Sequence, residues 1–305
     1  MERIIFDCDP GHDDAVALAM AKGLSEYFKL EAVIATYGNQ IREKTLTNTL
    51  NLAQALNLDV PVYAGSVAPL IRERVVAGNI HGENGLAGPV FPECRLKCAG
   101  NGITYALDTV INNPGEITFV SVGPFTDLAV CLKADPRFAP SLKRIIVMGG
   151  STCGGNVTST AEFNVYADPE AAQIVFNSGV EIVQFGLDVT LQVMLSEEIL
   201  EKVRASKETN YKSIFLASME YYVKSCKEFI HDYPAMHDPC TIAYLADPTI
   251  FKFIETDVEV DLKSTLHYGA TVDLRESINK NVKKAIKADI KKFWDLFFKA
   301  LEKLP

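Results

Sequence analysis

Short apolar segments alternate with amphipathic stretches along the first two thirds of the chain. The apolar run RIIFD is followed by a helical pattern at residues 13–24, and LEAVIAT is followed by a second helical pattern. The runs ITFVSV, KRIIVMGG and VEIVQFG continue the alternation, with helices predicted at residues 125–133 and 168–178. Repeated strand and helix units predict a parallel sheet that is covered by helices on both faces.

The pattern changes after about residue 196. A long helical region extends to about residue 229, a short helix begins near Asp238, a few β-like segments follow, and ADIKKFWDLFFKALEKL is an amphipathic helix. No low-complexity linker or internal repeat interrupts the chain. We therefore predict an α/β fold with an open, mostly parallel, Rossmann-like sheet flanked by helices and a C-terminal helical elaboration, in a single domain spanning residues 1–305.

Composition narrows the class of protein. The chain has 305 residues, 48% of them hydrophobic, and a formal net charge of -9, which argues against a nucleic-acid partner because phosphate binding needs a basic patch. The lysine-rich stretch at residues 280–292 is interpreted as a solvated surface. The N-terminus lacks the pattern of a secretory signal, and no window reaches the ~18 apolar residues of a membrane span. We expect a cytoplasmic protein with no membrane partner.

Seven scattered cysteines also favour a reducing compartment over a disulfide framework. Cys94 and Cys98 form a C-x3-C pair without a second pair. This spacing is a weak indication of zinc, and we expect free thiols.

Four acidic residues lie within eight positions of the segment FDCDPGHDDA: Asp7, Asp9, Asp13 and Asp14. A helix start favours one or two acids in its first turn, but this does not account for four. Two carboxylates about 4 Å apart repel by roughly 4 kcal/mol at an effective dielectric near 20, so the set needs a counter-charge. Calcium and magnesium both bind oxygen ligands, so either ion would supply this charge. A solvated acidic loop is the alternative to a metal site.

Polar residues follow several predicted strands at the same edge of the sheet, where open parallel sheets bind ligands. Asn39 follows the second strand, Val122 ends a middle strand and a glycine-rich loop follows the next. The segment MHDPC adds Asp238 as a possible further ligand, with His237 beside it; the unperturbed pKa of histidine, near 6.5, suits proton transfer.

The other histidines and one further polar segment are interpreted from their surroundings in the sequence. His12 and His267 are interpreted as structural, whereas His81 lies in the glycine-rich segment NIHGENGLAG and predicts a lid over a ligand. The segment GGNVTSTAEFN contributes Asn156, Glu162 and Asn164, which suit a hydroxyl-rich sugar or form an ordinary polar surface loop.

Six segments read together closely resemble the inosine-uridine-preferring nucleoside hydrolase family: DCDPGHDDA, the Gly38-Asn39 pair, SVGPFTDLA, VMGG, GNVTSTAEFNVYADPEAA and MHDPC. They occur in order from residue 6 to about residue 248. The resemblance implies calcium-dependent hydrolysis of the N-glycosidic bond of ribonucleosides, which yields ribose and a free base in nucleoside salvage or catabolism. It also implies a homo-oligomer, either a tetramer or a dimer.

The resemblance further implies a role for each matching residue. The implied calcium ligands are Asp9, Asp14, Asp238 and the backbone carbonyl of Val122. The implied substrate-binding residues are Asp13, Asn39 and Asn164 at the ribose 2′- and 3′-hydroxyls, Asn156 and Glu162 at the 5′-hydroxyl, and His81 and Tyr222 elsewhere in the site. Calcium would lower the pKa of a bound water, Asp9 would take its proton, and His237 would protonate the leaving base.

This sequence departs from the family pattern on the helix before HDPC. Tyr222 matches one family tyrosine, but the other position is occupied by Cys226, for which Tyr233 or His231 could substitute. The one tryptophan, Trp294, lies in the C-terminal helix rather than near a base. These departures favour a pyrimidine-preferring or broad enzyme over a strictly purine-specific one.

Two other classes of protein compete with this interpretation. A phosphohydrolase of the haloacid dehalogenase type would use Asp7 as its nucleophile, but the threonine and lysine that it needs downstream are not convincing here. A non-catalytic nucleoside-binding protein would keep the sugar site, although the presence of both Asp9 and His237 argues against it.

Overall fold

The computed structural model describes residues 1–209, 211–274, 276–278 and 280–305. The strands of this part of the chain are β1 Glu2–Cys8, β2 Phe28–Ala35, β3 Val62–Ala64, β4 Ile117–Ser121, β5 Leu142–Met148, β6 Ile182–Phe185, β7 Phe251–Thr256, β8 Val258–Val260, β9 Thr271–Asp273 and β10 Val282–Ala288. The helices are α1 His12–Gly23, α2 Arg42–Ala55, α3 Gly78–His81, α4 Gly102–Asn112, α5 Thr126–Ala134, α6 Phe138–Ser141, α7 Phe163–Ala167, α8 Pro169–Phe176, α9 Leu187–Thr190, α10 Glu197–Ala205, α11 Lys212–Phe229, α12 Pro239–Ala246 and α13 Ile290–Leu301.

Eight strands form the main sheet in the order β3-β2-β1-β4-β5-β6-β10-β7. All neighbours in it are parallel except β10 and β7, which are antiparallel. The predicted α/β class with a mostly parallel sheet flanked by helices is therefore confirmed. The C-terminal part contains more than helices, since it also adds β7 and β10 to the sheet and pairs β8 with β9 outside it.

The prediction that the lysine-rich stretch is a solvated surface is wrong for its first half, whereas residues 289–292 are exposed. Its first half is β10, which pairs with β6 and β7 inside the main sheet. Val282, Ala285 and even Lys284 are buried there. An isolated lysine run predicts solvent exposure, but a lysine can be buried when carboxylates from other elements neutralise it.

The two faces of the sheet carry separate hydrophobic cores because side chains alternate along each strand. In β1, Ile4 and Phe6 face a core that includes residues of α1, α11, α12 and α13, whereas Ile5 faces a core built with α4, α5 and α8. The strands are nearly continuous apolar runs, as expected of a sheet buried on both faces.

The strand order reverses between β1 and β4, and this switch point positions the site. β2 extends the sheet from one side of β1, and β5 extends it from the far side of β4. The loops after β1 and β4 therefore diverge and leave a crevice at the carboxyl ends of the strands. Among the described residues, no helix is long and apolar enough to cross a membrane.

Candidate active site

The acidic segment joins the end of β1 to the start of α1. Asp14 caps this junction, since its carboxylate accepts hydrogen bonds from the backbone amides of Asp9 at 3.1 Å and Gly11 at 2.9 Å. The Asn39 side chain, from the loop after β2, donates to the same carboxylate at 3.2 Å and to the Asp9 carbonyl at 3.2 Å. Its backbone amide donates to the Asp9 carboxylate at 2.6 Å.

The carboxylates of Asp13, Asp14 and Asp238 converge although Asp238 lies far along the chain. One oxygen of each lies within 4.8 Å of the others, and all three residues are buried. Burial, followed by the charge of Asp13, raises the pKa of Asp14 to about 7. Burial likewise raises the pKa of Asp13 to about 6, although the backbone amides of Asp238 and His237 favour its ionised form. Ionisation of the cluster is therefore disfavoured, because no positive group among the residues described compensates its charge.

The donor set fits a hard divalent cation. All candidate donor atoms are oxygens, and no lysine or arginine is among the described residues that line the adjoining cavity. In addition, Oδ1 of Asp9 is buried and has no hydrogen-bond partner, which is costly unless another group satisfies it. These oxygen donors are consistent with the predicted binding of a divalent metal ion. The assignment of Asp9 as a ligand stays a prediction, and Asp13 lies within the acidic cluster although we predicted it to bind ribose.

Two predicted residues meet at the end of β4. The Asn164 side-chain amide donates to the Val122 carbonyl at 2.7 Å and to the Met148 carbonyl at 3.1 Å. It thereby joins the ends of β4 and β5 beside the acidic cluster. Val122 and Asn164 both line the cavity, so the structure brings them together with the cluster.

Glu162 and Asn156 shape the loop between β5 and α7. The Glu162 carboxylate accepts hydrogen bonds from the backbone amides of Gly150, Asn164 and Val165 at 2.9 to 3.2 Å and so caps the start of α7. Burial raises its pKa to about 7. Oδ1 of Asn156 accepts from the Phe163 amide at 2.9 Å. Both side chains line the cavity.

His237 lies at the wall of the cavity, one residue before the buried Asp238. Its Nδ1 is 2.8 Å from the hydroxyl of Thr190, a partner that the sequence did not indicate. Burial lowers the pKa of His237 to about 4, so the ring is neutral at neutral pH. When Thr190 donates to Nδ1, the proton of the neutral ring is on Nε2.

His81 was predicted to belong to a flexible lid, but its side chain is buried. It ends α3, its Nδ1 lies 2.9 Å from Nδ1 of His12, and His12 reaches the Ala87 carbonyl through Nε2 at 2.9 Å. The ring of Tyr222 is stacked on His12 with centroids 5.0 Å apart. His12 is fully buried and supports His81, as a structural residue would.

These elements enclose a cavity of about 300 Å³, and its lining includes every predicted substrate-binding residue. The lining also contains residues that the sequence analysis missed, several of which are apolar: Val76, Ala77, Asn79, Ile80, Met148, Val157, Phe163, Phe229 and Ile230. Phe229 and Ile230 are about half exposed, at 51% and 56%. Exposed apolar residues around one cavity are a signal of ligand contact that only coordinates reveal.

The tyrosine substitutes suggested by the sequence do not line this cavity. Cys226 is buried in α11, His231 is exposed, and Tyr233 lies under the Lys227 ammonium at 4.2 Å. Phe229 and Ile230, from the same part of the chain, do line it.

Asp7 is unsuited to act as a nucleophile. It is fully buried in β1, where its carboxylate accepts a hydrogen bond from the Ser121 hydroxyl at 2.9 Å. Burial, followed by the charge of Asp127, raises its pKa well above the ordinary value. A fully buried carboxyl that does not line the cavity cannot attack a substrate there, which argues against the phosphohydrolase alternative.

Comparison with known proteins gives a consistent result. The profile of the inosine-uridine preferring nucleoside hydrolase family matches residues 4–295. The pyrimidine-specific ribonucleoside hydrolase RihB of Escherichia coli is 41% identical over 303 residues, covering 96% of this chain and 95% of that protein.

Solved structures share the fold. A purine-preferring ribonucleoside hydrolase from Gardnerella vaginalis superposes with a TM-score of 0.91 at 28% identity, covering 99% of this chain and 98% of that one. A plant nucleoside hydrolase superposes with a TM-score of 0.90 at 30% identity, covering 100% and 99% of the two chains.

Proposed function

Since this chain belongs to the inosine-uridine preferring nucleoside hydrolase family and is a ribonucleoside hydrolase, we propose that it uses calcium and prefers pyrimidine ribonucleosides or acts broadly. One observation carries the proposal. The carboxylates of Asp13 and Asp238 line the same cavity as His237 and the hydrogen-bonding residues predicted to bind ribose, and the Asp14 carboxylate lies within 4.8 Å of both. The products are ribose and a free base.

The proposed calcium ligands are Asp9, Asp14, Asp238 and the carbonyl of Val122. Their oxygens suit calcium, which takes six to eight oxygen ligands in flexible geometry, better than they suit zinc. When bound there, the ion supplies positive charge that favours the ionisation of water in the site. The unsatisfied Oδ1 of Asp9 supports this assignment, because a ligand role would give the atom a partner.

Asp9 is proposed to act as the general base at the sugar face of the cavity. Its carboxylate is oriented by the Asn39 backbone amide, which donates to Oδ2, and it is assigned the proton of the attacking water. As the C–N bond breaks, positive charge develops on the ribose, and the surrounding carboxylates stabilise it. This electrostatic effect explains why a hydrolase of this type concentrates acidic residues in one buried site.

His237 is proposed to act at the other end of the scissile bond. Its Nδ1 faces the Thr190 hydroxyl, so Nε2–H is available to donate to the leaving base. Because burial lowers its pKa to about 4, the ring donates from its neutral form at neutral pH and stabilises negative charge as it develops on the base.

The ribose is proposed to bind through polar groups that the chain already orients. Asp13, Asn39 and Asn164 are assigned to the 2′- and 3′-hydroxyls, and Asn156 and Glu162 to the 5′-hydroxyl. Asn164 and Glu162 are each fixed by backbone hydrogen bonds, which limits the entropy lost when a sugar binds. Tyr222 and His81 would contact the nucleoside from the opposite wall.

The preference for pyrimidines is supported by two observations. The relative from Escherichia coli is named as pyrimidine-specific. The single tryptophan, Trp294, packs between Phe293 and Phe297 in α13, with ring centroids 5.2 Å apart in both pairs. No indole is therefore available in the described cavity to stack on a purine.

A cytoplasmic location and a homo-oligomeric state, either a tetramer or a dimer, are further parts of the proposal. All seven cysteines are free, which supports a reducing compartment. Analytical ultracentrifugation measures the oligomeric state directly.

Ribose release from a panel of uridine, cytidine, inosine and adenosine, with and without chelator, tests the proposal. Uridine should be cleaved faster than 2′-deoxyuridine, because a site built to bond a hydroxyl is left with unpaired polar groups when it is missing. Full activity of metal-stripped protein in chelator would exclude the calcium assignment. Equal kcat/KM for uridine and 2′-deoxyuridine would exclude the ribose assignment.

A further inference from the structure

The loop at residues 149–162 carries Asn156 and Glu162 into the cavity, and its first residues are tied down one after another. The Gln184 side-chain amide donates to the Gly149 carbonyl at 2.9 Å. The Thr271 hydroxyl accepts from the Ser151 amide and donates to the Ser151 carbonyl, both at 2.8 Å. The start of this loop is therefore fixed by side chains from β6 and β9.

Thr152 is held by a buried charge cluster. Its hydroxyl donates to Asp188 at 2.6 Å and accepts from the Lys284 ammonium at 2.7 Å. The same ammonium lies 3.2 Å from Asp188 and 3.2 Å from Asp273. An ammonium has three N–H donors, and these three acceptors can use all of them.

The burial of Lys284 is unusual enough to need an explanation. Its side chain is 2% exposed, and the partner carboxylates of Asp188 and Asp273 are 14% and 8% exposed. Removing a lysine from water is unfavourable, and an ion pair of this kind adds little net stability compared with an apolar core. Because Lys284 lies opposite Gln184 in the register of β10 and β6, the two residues hold neighbouring points of one loop.

The position of Glu162 depends on this anchored segment. The Gly150 amide donates to the Glu162 carboxylate at 2.9 Å, so it links the first limb of the loop to the last. Gly150 itself has φ +79°, and an added Cβ would lie 2.8 Å from Gln184 Nε2 and 3.0 Å from the Thr271 hydroxyl. Side chains from β6 and β9 therefore act on the position of Glu162 through Gly150.

We infer that Lys284 is a positioning residue: with Asp188 and Asp273 it clamps Thr152 and thereby holds the loop at residues 149–162 so that Asn156 and Glu162 meet the ribose 5′-hydroxyl. This inference rests on the proposed function, which assigns those two residues to that hydroxyl. It assigns a functional purpose to β9 and β10, two of the four strands that the C-terminal part contributes to the described structure.

The test compares uridine with 5′-deoxyuridine in four proteins. Wild type should cleave uridine with the higher kcat/KM. Lys284→Met and Thr152→Val should lower kcat/KM for uridine about 10- to 100-fold, chiefly through KM, because small misplacements of positioning groups have effects of this size. Both variants should change kcat/KM for 5′-deoxyuridine little, since that substrate lacks the hydroxyl that the loop binds.

Lys283→Met is the matched control. Lys283 precedes Lys284 in β10 but lies over the rings of Phe253 and Tyr244, so its loss removes a lysine from the same strand without touching the loop. It should keep the wild-type ratio of the two substrates. If Lys284→Met does not fold, Thr152→Val decides, because that residue is exposed and its substitution removes only the hydroxyl.

Failure of the proposed 5′-hydroxyl site and failure of the Lys284 inference give different results. If wild type cleaves uridine and 5′-deoxyuridine with equal kcat/KM, the proposed 5′-hydroxyl site is wrong. If wild type discriminates but Thr152→Val either keeps the wild-type ratio or slows both substrates in parallel, the positioning role of the Lys284 cluster is overturned.

Discussion

Asp14 connects the segment between β1 and α1 to the loop after β2, because its carboxylate accepts hydrogen bonds from Asp9, Gly11 and Asn39. We expect Asp14→Ala to weaken calcium binding by at least about 100-fold, since changes beyond the direct ligands already cost 10- to 100-fold in metal affinity. Turnover of uridine should be lost with it. Calorimetric titration with calcium measures the first effect, and ribose release measures the second.

Asp108→Ala is the control for this prediction, since Asp108 is an exposed acid on α4. It should bind calcium as wild type does. Unchanged calcium affinity in Asp14→Ala would remove this residue from the ligand set.

The raised pKa values in the acidic cluster make the stability of the metal-free protein depend on pH. Burial raises the pKa of Asp14 to about 7, above its ordinary value of 3.8. The folded state then holds a proton that the unfolded state releases, so this contribution is present below about pH 4 and is lost as pH rises to about 7. In chelator, wild type should lose thermal stability over this interval relative to Asp14→Asn, which has no such proton.

Added calcium should reverse the trend, because the cation favours the ionised carboxylates. The gain in Tm on adding calcium should therefore be larger at pH 8 than at pH 5. Thermal unfolding at both pH values measures it, and a gain that is larger at pH 5 would contradict the linkage.

His237 is the residue whose role depends on the leaving group. If it assists departure of the base, His237→Ala should slow cleavage of uridine by about 10² to 10⁴-fold. Cleavage of p-nitrophenyl riboside should be spared, because p-nitrophenolate leaves without a proton. Measuring kcat for both substrates decides the matter, and parallel losses would leave His237 with only a structural role.

At the scale of elements, the segment that follows α3 is held against α11 by close backbone contact. Gly88 has φ +111°, and a Cβ there would lie 2.3 Å from the Ala217 carbonyl oxygen. We expect Gly88→Ala to destabilise the protein and raise KM for uridine, because Ala87 next to it accepts the hydrogen bond of His12, which supports His81.

Gly115→Ala separates backbone strain from this contact. Gly115 also has positive φ, +77°, but nothing lies within 4 Å of an added Cβ. It should lose only about 1 to 2 kcal/mol of unfolding free energy and keep the wild-type KM. Equal effects of the two substitutions on stability and on KM would show that the α11 contact has no special role.

At the scale of the whole molecule, α1 links the acidic cluster to the C-terminal helix. Its first turn carries Asp13 and Asp14, and near its other end Gly23 lies so close to α13 that a Cβ would meet the Ala300 carbonyl oxygen at 2.3 Å. Trp294, 7% exposed in α13, is therefore a natural probe of cooperative unfolding.

Calcium at 100 times its Kd should raise the free energy of unfolding by about 2.7 kcal/mol. The denaturation midpoint followed by Trp294 fluorescence should shift together with the midpoint followed by circular dichroism. A shift in circular dichroism without a shift in fluorescence would show that α13 unfolds separately from the site. A single domain over residues 1–305 stays a prediction until this is measured.

Much of the fold and part of the site could be predicted because their signals are local. The apolar runs and helical periodicity that predict a mostly parallel sheet depend on near neighbours in the chain. Asp9, Asp13 and Asp14 follow one strand and begin one helix, so their proximity requires no tertiary information. The sequence offered Asp238 of MHDPC as a possible further ligand and His237 as a possible proton donor, and the family resemblance gave each a specific role.

Only the tertiary structure decided which distant groups meet. It brings Asp238 to the cluster, stacks Tyr222 on His12 and places Phe229 at the cavity wall. It also buries Lys284, which the sequence assigned to the surface. The physical reason is that burial of a charge depends on its partners, and Asp188 and Asp273 reach this ammonium from elements whose packing no local pattern encodes.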